Sequence, residues 1–500
     1  MSRFLRLTFA LLFTLAFAIQ PAFAQNEETE GEGAENTEQE ESSAAAGSPG
    51  EKPVGLRITG LPLPSYNDDI GFTYGLRVIG TYYENNYDPY RWQVWGQYLA
   101  STKGFEDHAA NLDALDFLGS GLRLQIRAGF ERTLNAQYYG FGNFQDIQQI
   151  ERISTGEVPV GENIPATRTI LRGDQLAERS DFIDSKFGDE FNLNENVLTG
   201  GLTSSAINPG TRILRERQNK YFFYDRIRPY AQASTQSFLG ETNFILFAGL
   251  RAQRYKIQSY FEDRDDGEAE ANSRTLLDIE QPLGYDAVEE NDRRYVNTVR
   301  AAIAYDSRPR VRELNPNSGI FADLHYEAAG KWSGSHYEFQ RATLTWRQYI
   351  DVAPGFFNDF GHEFVFAYRL LGQETFGDVP FFEKGRIYTM NEASEGLGGS
   401  GGLRGYPSNQ FVDTVMTMGN FEGRYTFART GFLGGMDFQG LYFYDIGRVA
   451  PGWQEWQPKG LHKAWGPGIS MVWQRNTIVT IFLGRSEFQS FTAFRLSHMF

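Results

Sequence analysis

From Leu122 to Phe130 the chain reads Leu-Arg-Leu-Gln-Ile-Arg-Ala-Gly-Phe, with Leu122, Leu124, Ile126, Ala128 and Phe130 at alternate positions and Arg123, Gln125 and Arg127 between them. Period-two alternation puts successive side chains on opposite faces of a β-strand. The same sense recurs. Phe421, Tyr425 and Phe427 alternate with Asn420, Glu422, Arg424 and Thr426, and Phe364, Phe366, Tyr368 and Leu370 alternate with Val365, Ala367 and Arg369. The segment Ser490 to Phe500 places Phe494, Leu496 and Phe500 on one face and Arg495 and Ser497 on the other, and ends on an aromatic residue. An oily face toward lipid and a wet face toward a lumen is the pattern of a transmembrane β-barrel strand.

Counting such segments predicts sixteen strands, near 53–63, 71–84, 90–102, 107–117, 120–140, 220–237, 242–258, 297–308, 319–330, 337–352, 362–374, 415–428, 438–450, 465–474, 476–487 and 490–500. The longest connections, 141–219, 259–296, 375–414 and 451–464, then all follow odd-numbered strands and fall on one side, whereas 118–121, 239–241 and Arg475 fall on the other. Bacterial barrels have this asymmetry, with long outer loops and short periplasmic turns. A propeller would need blade-length repeats, which the chain does not show. The expected fold is therefore an all-β, antiparallel transmembrane barrel occupying residues 53–500.

Composition adjusts this picture at the amino end. Residues 1–24 carry Arg3 and Arg6, an apolar stretch from Leu7 to Ile19, and Ala22-Phe23-Ala24, the three parts of a secretory signal peptide. Residues 25–52 hold nine glutamates and one lysine, too polar to bury a core, and are expected to be a disordered acidic leader. Beyond the signal no run of about 18 apolar residues exists for a membrane helix. Aromatics at 15% and 53 glycines suit a barrel, and the absence of cysteine excludes disulfides and thiolate sites. A formal charge of -16 argues against nucleic acid as a partner.

The most distinctive segment is Gly396 to Phe411, which has six glycines between Gly396 and Gly405 and contains Leu403-Arg404-Gly405-Tyr406. It lacks the Gly-Lys-Ser/Thr of a phosphate loop and no helix follows. Here the chain resembles the barrel superfamily of BamA/TamA-type assembly factors and two-partner secretion transporters, the bacterial surface antigen barrels, whose sixth surface loop carries a Val/Leu-Arg-Gly-Phe/Tyr tip. The resemblance implies that this loop folds into the lumen and that its arginine is held by acidic residues on the twelfth and thirteenth strands. Glu422, in Gly-Asn-Phe-Glu-Gly-Arg-Tyr, and Asp445, in Tyr-Phe-Tyr-Asp-Ile-Gly-Arg-Val and on the same face as Phe443, match those positions. A carboxylate facing lipid is costly, so both are expected to point inward.

Further matches are weaker. Asp306 and Arg308, followed by Pro316 and Gly319, look like the family's periplasmic turn; Tyr138 to Asn143 and Gly466 to Ile469 also look familial. Phe500 resembles the terminal aromatic that outer-membrane assembly machinery recognises. The chain departs from the family in two ways: residues 25–52 are too short for a POTRA module, and Gln489 to Phe500 contains no glycine for a kinked final strand. It is therefore expected to be a short, POTRA-less member.

Two function classes follow. One is a barrel that assists insertion or translocation of another molecule, with an unidentified client protein; the other is a structural or channel-forming, porin-like barrel with a plugged lumen. Either lives in the bacterial outer membrane, in contact with lipid and lipopolysaccharide. No enzyme, metal or cofactor is expected: His108, His325, His336, His362, His462 and His498 pair with no nucleophile pattern, and His498 falls on the lipid-facing register of the last strand. The acidic loop Glu262 to Glu270 lacks the ligand spacing of a calcium loop and reads as solvated surface.

Overall fold

The computed structural model describes residues 54–87, 90–142, 223–259, 277, 281–285, 294–309, 315–390, 393–431, 435–473, 477–486, 490–495 and 498–500. The expected signal peptide, acidic leader, Glu262–Glu270 loop and Asn143 lie outside them. Sixteen antiparallel staves close into a barrel. The first is shared by β1 (Gly55–Pro62) and β2 (Ser65–Asn67). Then follow β3 (Gly71–Tyr83), β4 (Trp92–Ser101), β5 (Phe105–Ala114), β6 (Arg123–Gln137), β7 (Phe223–Phe238), β8 (Phe244–Ser259) and β9 (Arg294–Asp306). After these come β10 (Gly319–Ala329), β11 (Phe339–Asp351) and β12 (Glu363–Gly377). A short hairpin, β13 (Arg386–Tyr388) and β14 (Ala393–Glu395), belongs to the connection after β12 and pairs only with itself. The wall resumes with β15 (Val415–Thr430), β16 (Met436–Ala450), β17 (His462–Trp473), β18 (Thr477–Ser486) and β19 (Ser490–Arg495). A helical turn, α1 (Pro354–Asn358), caps the short-side connection between β11 and β12; a second, α2 (Phe381–Lys384), opens the segment that carries β13.

Each stave pairs with its neighbour in sequence, and β19 returns to β2. Alternation explains the wall. On β8, Leu246 and Leu250 are exposed outward while Phe247, Arg251 and Gln253 are buried inward; on β16, Tyr442 and Tyr444 face out and Phe443 and Asp445 face in. Burial therefore sits in the lumen rather than between layers. All sixteen predicted strands are present, with ends displaced by a few residues, and connection 378–414 is the sixth on the side that carries the longest loops.

One expectation is corrected. The last strand does not run to Phe500: β19 ends at Arg495, and residues 498–500 lie outside any strand. Phe500 is buried with Met499 against lumenal Tyr349, Val365 and Ala367. Arg369 and Arg424 lie 5.5 and 5.2 Å from its ring centre, and Arg424 Nη2 donates to its carbonyl oxygen at 3.2 Å. His498 is buried too, its Nε2 2.9 Å from Asn315 Oδ1, and does not face lipid. The physical reason is in the chain: Met499 and Phe500 are adjacent apolar residues, which period two cannot place on one face. Burying both beside two guanidinium groups offsets the loss of a continued ladder.

The two faces differ in what they tolerate. Leu250→Lys, on the outer face of β8, is expected to destabilise the barrel by about 2–4 kcal/mol in a lipid bilayer. Gln232→Lys, on the lumenal face of β7, is expected to cost under about 1 kcal/mol. Urea unfolding of both variants in liposomes checks the difference.

Candidate functional site

The loop tip meets the wall through one arginine. Arg404 Nε and Nη2 donate to Asp445 Oδ2 and Oδ1, both at 2.8 Å, a two-pronged clamp, and its backbone N–H adds a third bond to Oδ2 at 3.0 Å. Its Nη1 donates to Glu422 Oε1, whose other oxygen accepts from Arg424 Nε at 2.8 Å. The guanidinium carbon lies over Phe443, 3.8 Å from the ring centre. All five side chains are buried. Only arginine presents parallel donors to one carboxylate, a further donor to a second, and a planar face to an aromatic ring. The structure thus brings Arg404, Glu422, Asp445 and Phe443 into one cluster.

The backbone around this cluster is equally committed. Asn420 Nδ2 lies 2.9 Å from both Asp445 Oδ1 and the carbonyl of Gly402, and Arg369 Nη2 donates to the carbonyl of Gly401 at 2.8 Å. Two glycines permit the approach. A Cβ on Gly405 would sit 3.0 Å from the β18 backbone at Arg485 and Ser486, and one on Gly484 would sit 2.0 Å from the carbonyl oxygen of Arg404. Leu403 and Tyr406 complete the contact, packed with Leu397, Phe411, Met416 and Ala464, and Tyr406 Oη donates to the carbonyl of Lys463 at 3.2 Å.

Sequence reasoning missed two further anchors of the same loop on the opposite wall. At the first, Glu383 of α2 accepts from Tyr255 Oη at 2.6 Å and from Arg341 Nη2 at 3.3 Å, while Glu327 binds both Arg341 and Arg251. At the second, Arg386 and Glu395 of the hairpin meet Glu131, Arg226 and Arg228: Arg226 Nη2 reaches Glu131 at 2.8 Å and Glu395 at 2.5 Å, and Arg386 reaches each glutamate at 3.1 Å. A signal was available, because Arg226, Arg228 and Glu131 all occupy inward positions and Glu131 is the register partner of Arg228. Charge on a lumenal face demands a counterion.

The short-side turn is built as a local clamp. Arg308 Nε and Nη2 each bind one oxygen of Asp306 at 2.9 Å, and Pro316 is buried nearby in the chain. Gly319 has φ of 95°, where a Cβ would meet the carbonyl of Ser307 at 2.7 Å. These residues are well away from the Arg404 cluster in the chain and share no hydrogen bond with it among the described residues. Through Asn315, the same turn touches His498 of the lumenal tail.

The join between the first and last staves differs from the rest of the wall. It holds two register pairs, Ala493 with Asn67 and Phe494 with Tyr66, supplemented by Ser65 Oγ to the carbonyl of Phe494 at 2.6 Å and the Thr492 N–H to Asp68 at 2.7 Å. By contrast β1 makes eight pairs with β3, and no described residue pairs with its other edge. The loop crosses this join from inside. Ser408 donates from its N–H and Oγ to Asp69, beyond β2, at 3.0 and 2.7 Å, and Arg495 of β19 donates to the carbonyl of Ser400. Asp69 lies in the turn outside the staves; burial pushes its carboxyl up to about 6, against the hydrogen bonds from Ser408, which lower it.

Fold and site together define a transmembrane β-barrel with its sixth long-side loop docked in the lumen. No protein-family model matches the chain, and no curated protein matches it. Among solved structures it is similar to BamA from Haemophilus ducreyi lacking POTRA domains 1-3, at 11% identity and a TM-score of 0.49, over 89% of this chain and 70% of that one. It is also similar to CdiB from Acinetobacter baumannii, at 9% identity and 0.43 over 88% and 59%, and to CdiB from Escherichia coli, at 8% and 0.46 over 87% and 62%.

Arg404→Ala leaves buried Asp445 without a cation and Glu422 with Arg424 alone, and is expected to cost about 3–5 kcal/mol. Gly484→Ala forces the tip off the wall for about 1–3 kcal/mol. Both are expected to expose residues 396–411 to protease, and heat-modifiable migration reports barrel stability. For Asp69 the folded-state value lies above the unfolded one, so its contribution is complete below about pH 4 and lost as pH rises through 6. Protease cleavage near Ser408 is expected to increase from pH 5 to pH 7.5, and Asp69→Asn is expected to abolish that increase.

Proposed function

We propose that this chain is a bacterial outer-membrane barrel that assists the insertion or translocation of another protein, working through the partly zipped join between its first and last staves. The observation that carries this reading is the outer edge of β1, with which no described residue pairs. An unpaired strand edge facing lipid leaves backbone N–H and C=O groups without water, at a cost of several kcal/mol each. Such an edge is satisfied by strand addition, in which a client β-strand pairs along it. The exposed Leu56 and Ile58 on β1 keep that edge at hydrocarbon depth.

In this reading Arg404, Glu422 and Asp445, with Phe443 as a floor, lock the loop that braces the join from inside. The chain acts without catalysis, and its partners are outer-membrane lipid and lipopolysaccharide, the assembly machinery that inserts it, and a client protein. Phe500 as an assembly signal would be read during that insertion, before the tail reaches the lumen.

A second reading has its own support. Beside the docked loop lies a polar cavity of about 850 Å³, lined on one side by β6 to β9. A porin-like channel plugged by the loop would have such a remnant lumen. Planar-bilayer conductance that rises on deleting residues 396–411 favours the channel.

Because the chain contains no cysteine, the join can be locked cleanly. The pair Asn67→Cys and Ala493→Cys joins two register partners. Oxidised, it is expected to reproduce the outer-membrane proteome of a depleted strain, and a reductant is expected to restore the normal one. An unchanged proteome in both the locked and the depleted strain would sink the insertion reading.

A further inference from the structure

The ionic networks that pin the loop leave one positive charge over on the lumenal wall. Around Glu327 and Glu383 stand Arg251 and Arg341, which ion-pair with them, and Arg300, which pairs with no carboxylate among the described residues. Arg300 Nε donates to His325 Nε2 and its Nη2 to the carbonyl of Thr389, both at 3.2 Å, so its bonds go to neutral acceptors. It is nevertheless only 6% exposed. Glu327 is its register partner across the strand pair but is bonded to Arg251 and Arg341, so Arg300 is a buried guanidinium with no carboxylate bonded to it, which is costly because its charge persists at any physiological pH.

Arg251 supplies the second half. Its Nη2 binds Glu327 at 2.6 Å and its plane lies 3.6 Å from the Tyr388 ring centre, but Nη1 has no protein partner although the side chain is 1% exposed. Gly249, which lacks a side chain, is the register partner of Arg300, and Arg251 lies two residues further along the same face. Diagonal neighbours on one face stand within reach of a shared ligand. Both arginines line the 850 Å³ cavity, together with Ile245, Phe321, Tyr388 and Met390. The pocket therefore offers these two guanidinium groups beside a small apolar patch, within a lining that elsewhere carries further arginines and carboxylates.

We propose that Arg300 and Arg251 form a binding site for a phosphate-type oxyanion on the lumenal wall of β8 and β9. A tetrahedral anion has oxygens enough to accept from both guanidinium groups at once, which a single carboxylate does less well. The cavity is far larger than an inorganic phosphate, leaving space for an organic substituent. Free phosphate and the phosphodiester of a lipid headgroup share this chemistry.

The full chain, refolded in detergent, is titrated with inorganic phosphate by isothermal calorimetry and, separately, with lysophosphatidylglycerol held below its micelle concentration. Saturable binding of either probe is expected, weakened at least tenfold in Arg300→Gln and unchanged in the surface variant Arg57→Gln, with heat-modifiable migration retained. Binding of both probes identifies the phosphate group alone as the ligand; binding of the lipid only identifies the headgroup. Should Arg300→Gln fail to fold, Arg300→Lys keeps the charge and loses the fork, and is expected to bind at least threefold more weakly. No saturable binding of either probe up to about 20 mM, or full binding by a folded Arg300 variant, overturns the site.

Discussion

Hydrocarbon offers no hydrogen-bond partner to a backbone amide and no solvation to a carboxylate, and the barrel is organised around satisfying both groups elsewhere. Closure of sixteen staves pairs the backbone of the described wall, apart from the outer edge of β1, with which no described residue pairs. Alternation then sends every second side chain into the lumen, where charge is admissible only when paired. On the wall itself charge is unevenly paired: Glu131 and Glu327 each meet two arginines, Glu422 meets Arg424, and Asp445 meets no wall arginine among the described residues. The sixth loop completes the balance by bringing Arg386 and Arg404 to the wall, and adds Glu383 and Glu395 opposite wall arginines.

Buried ion pairs of this kind contribute little stability over an apolar filling of equal volume, because desolvation cancels most of the attraction. Their effect is on specificity. A glycine-rich loop packed only through Leu403, Tyr406 and Phe411 would slide on a greasy wall. Two-pronged contact between Arg404 and Asp445, opposed by Glu131 with Arg386 on the far side, admits one placement of the loop and penalises every other by leaving charge bare. The close approach at Gly405 and Gly484 works in the same direction, since the fit is lost with any side chain at either position.

What was legible in the sequence follows from which signals are local. The wall was readable because period two is imposed residue by residue, as at Leu122 to Phe130, and because loop lengths sort by side. The Arg404 cluster was reachable only through resemblance, as nothing in spacing links residue 404 to 422 and 445. Glu383, Arg386 and Glu395 stayed hidden for a different reason: their partners Tyr255, Arg341 and Glu131 are distant in the chain and meet only once the barrel has closed. The tail was misread because alternation through Arg495 was extended over Met499 and Phe500, where two consecutive apolar residues already break it. That break was visible in the sequence, and the lumenal arginines that reward it were not.

The join and the loop are best understood as one device. If the loop only plugged a pore, its contacts would need to fall on the wall at large, and those at the join would be incidental. Instead the tip spans consecutive elements there: Gly405 touches β18, Ser400 accepts from Arg495 on β19, and Ser408 binds Asp69 just beyond β2. Two backbone register pairs alone make a weak closure, comparable to the fraying end of a hairpin. A loop bonded to both sides of the join from inside adds to that closure. In the proposed insertion reading, separating the staves would first break the partly buried bonds to Ser400 or Ser408. The tail points the same way: Met499 and Phe500 are packed in the lumen against Tyr349, Val365 and Ala367, and so do not extend the ladder of the last stave alongside β1.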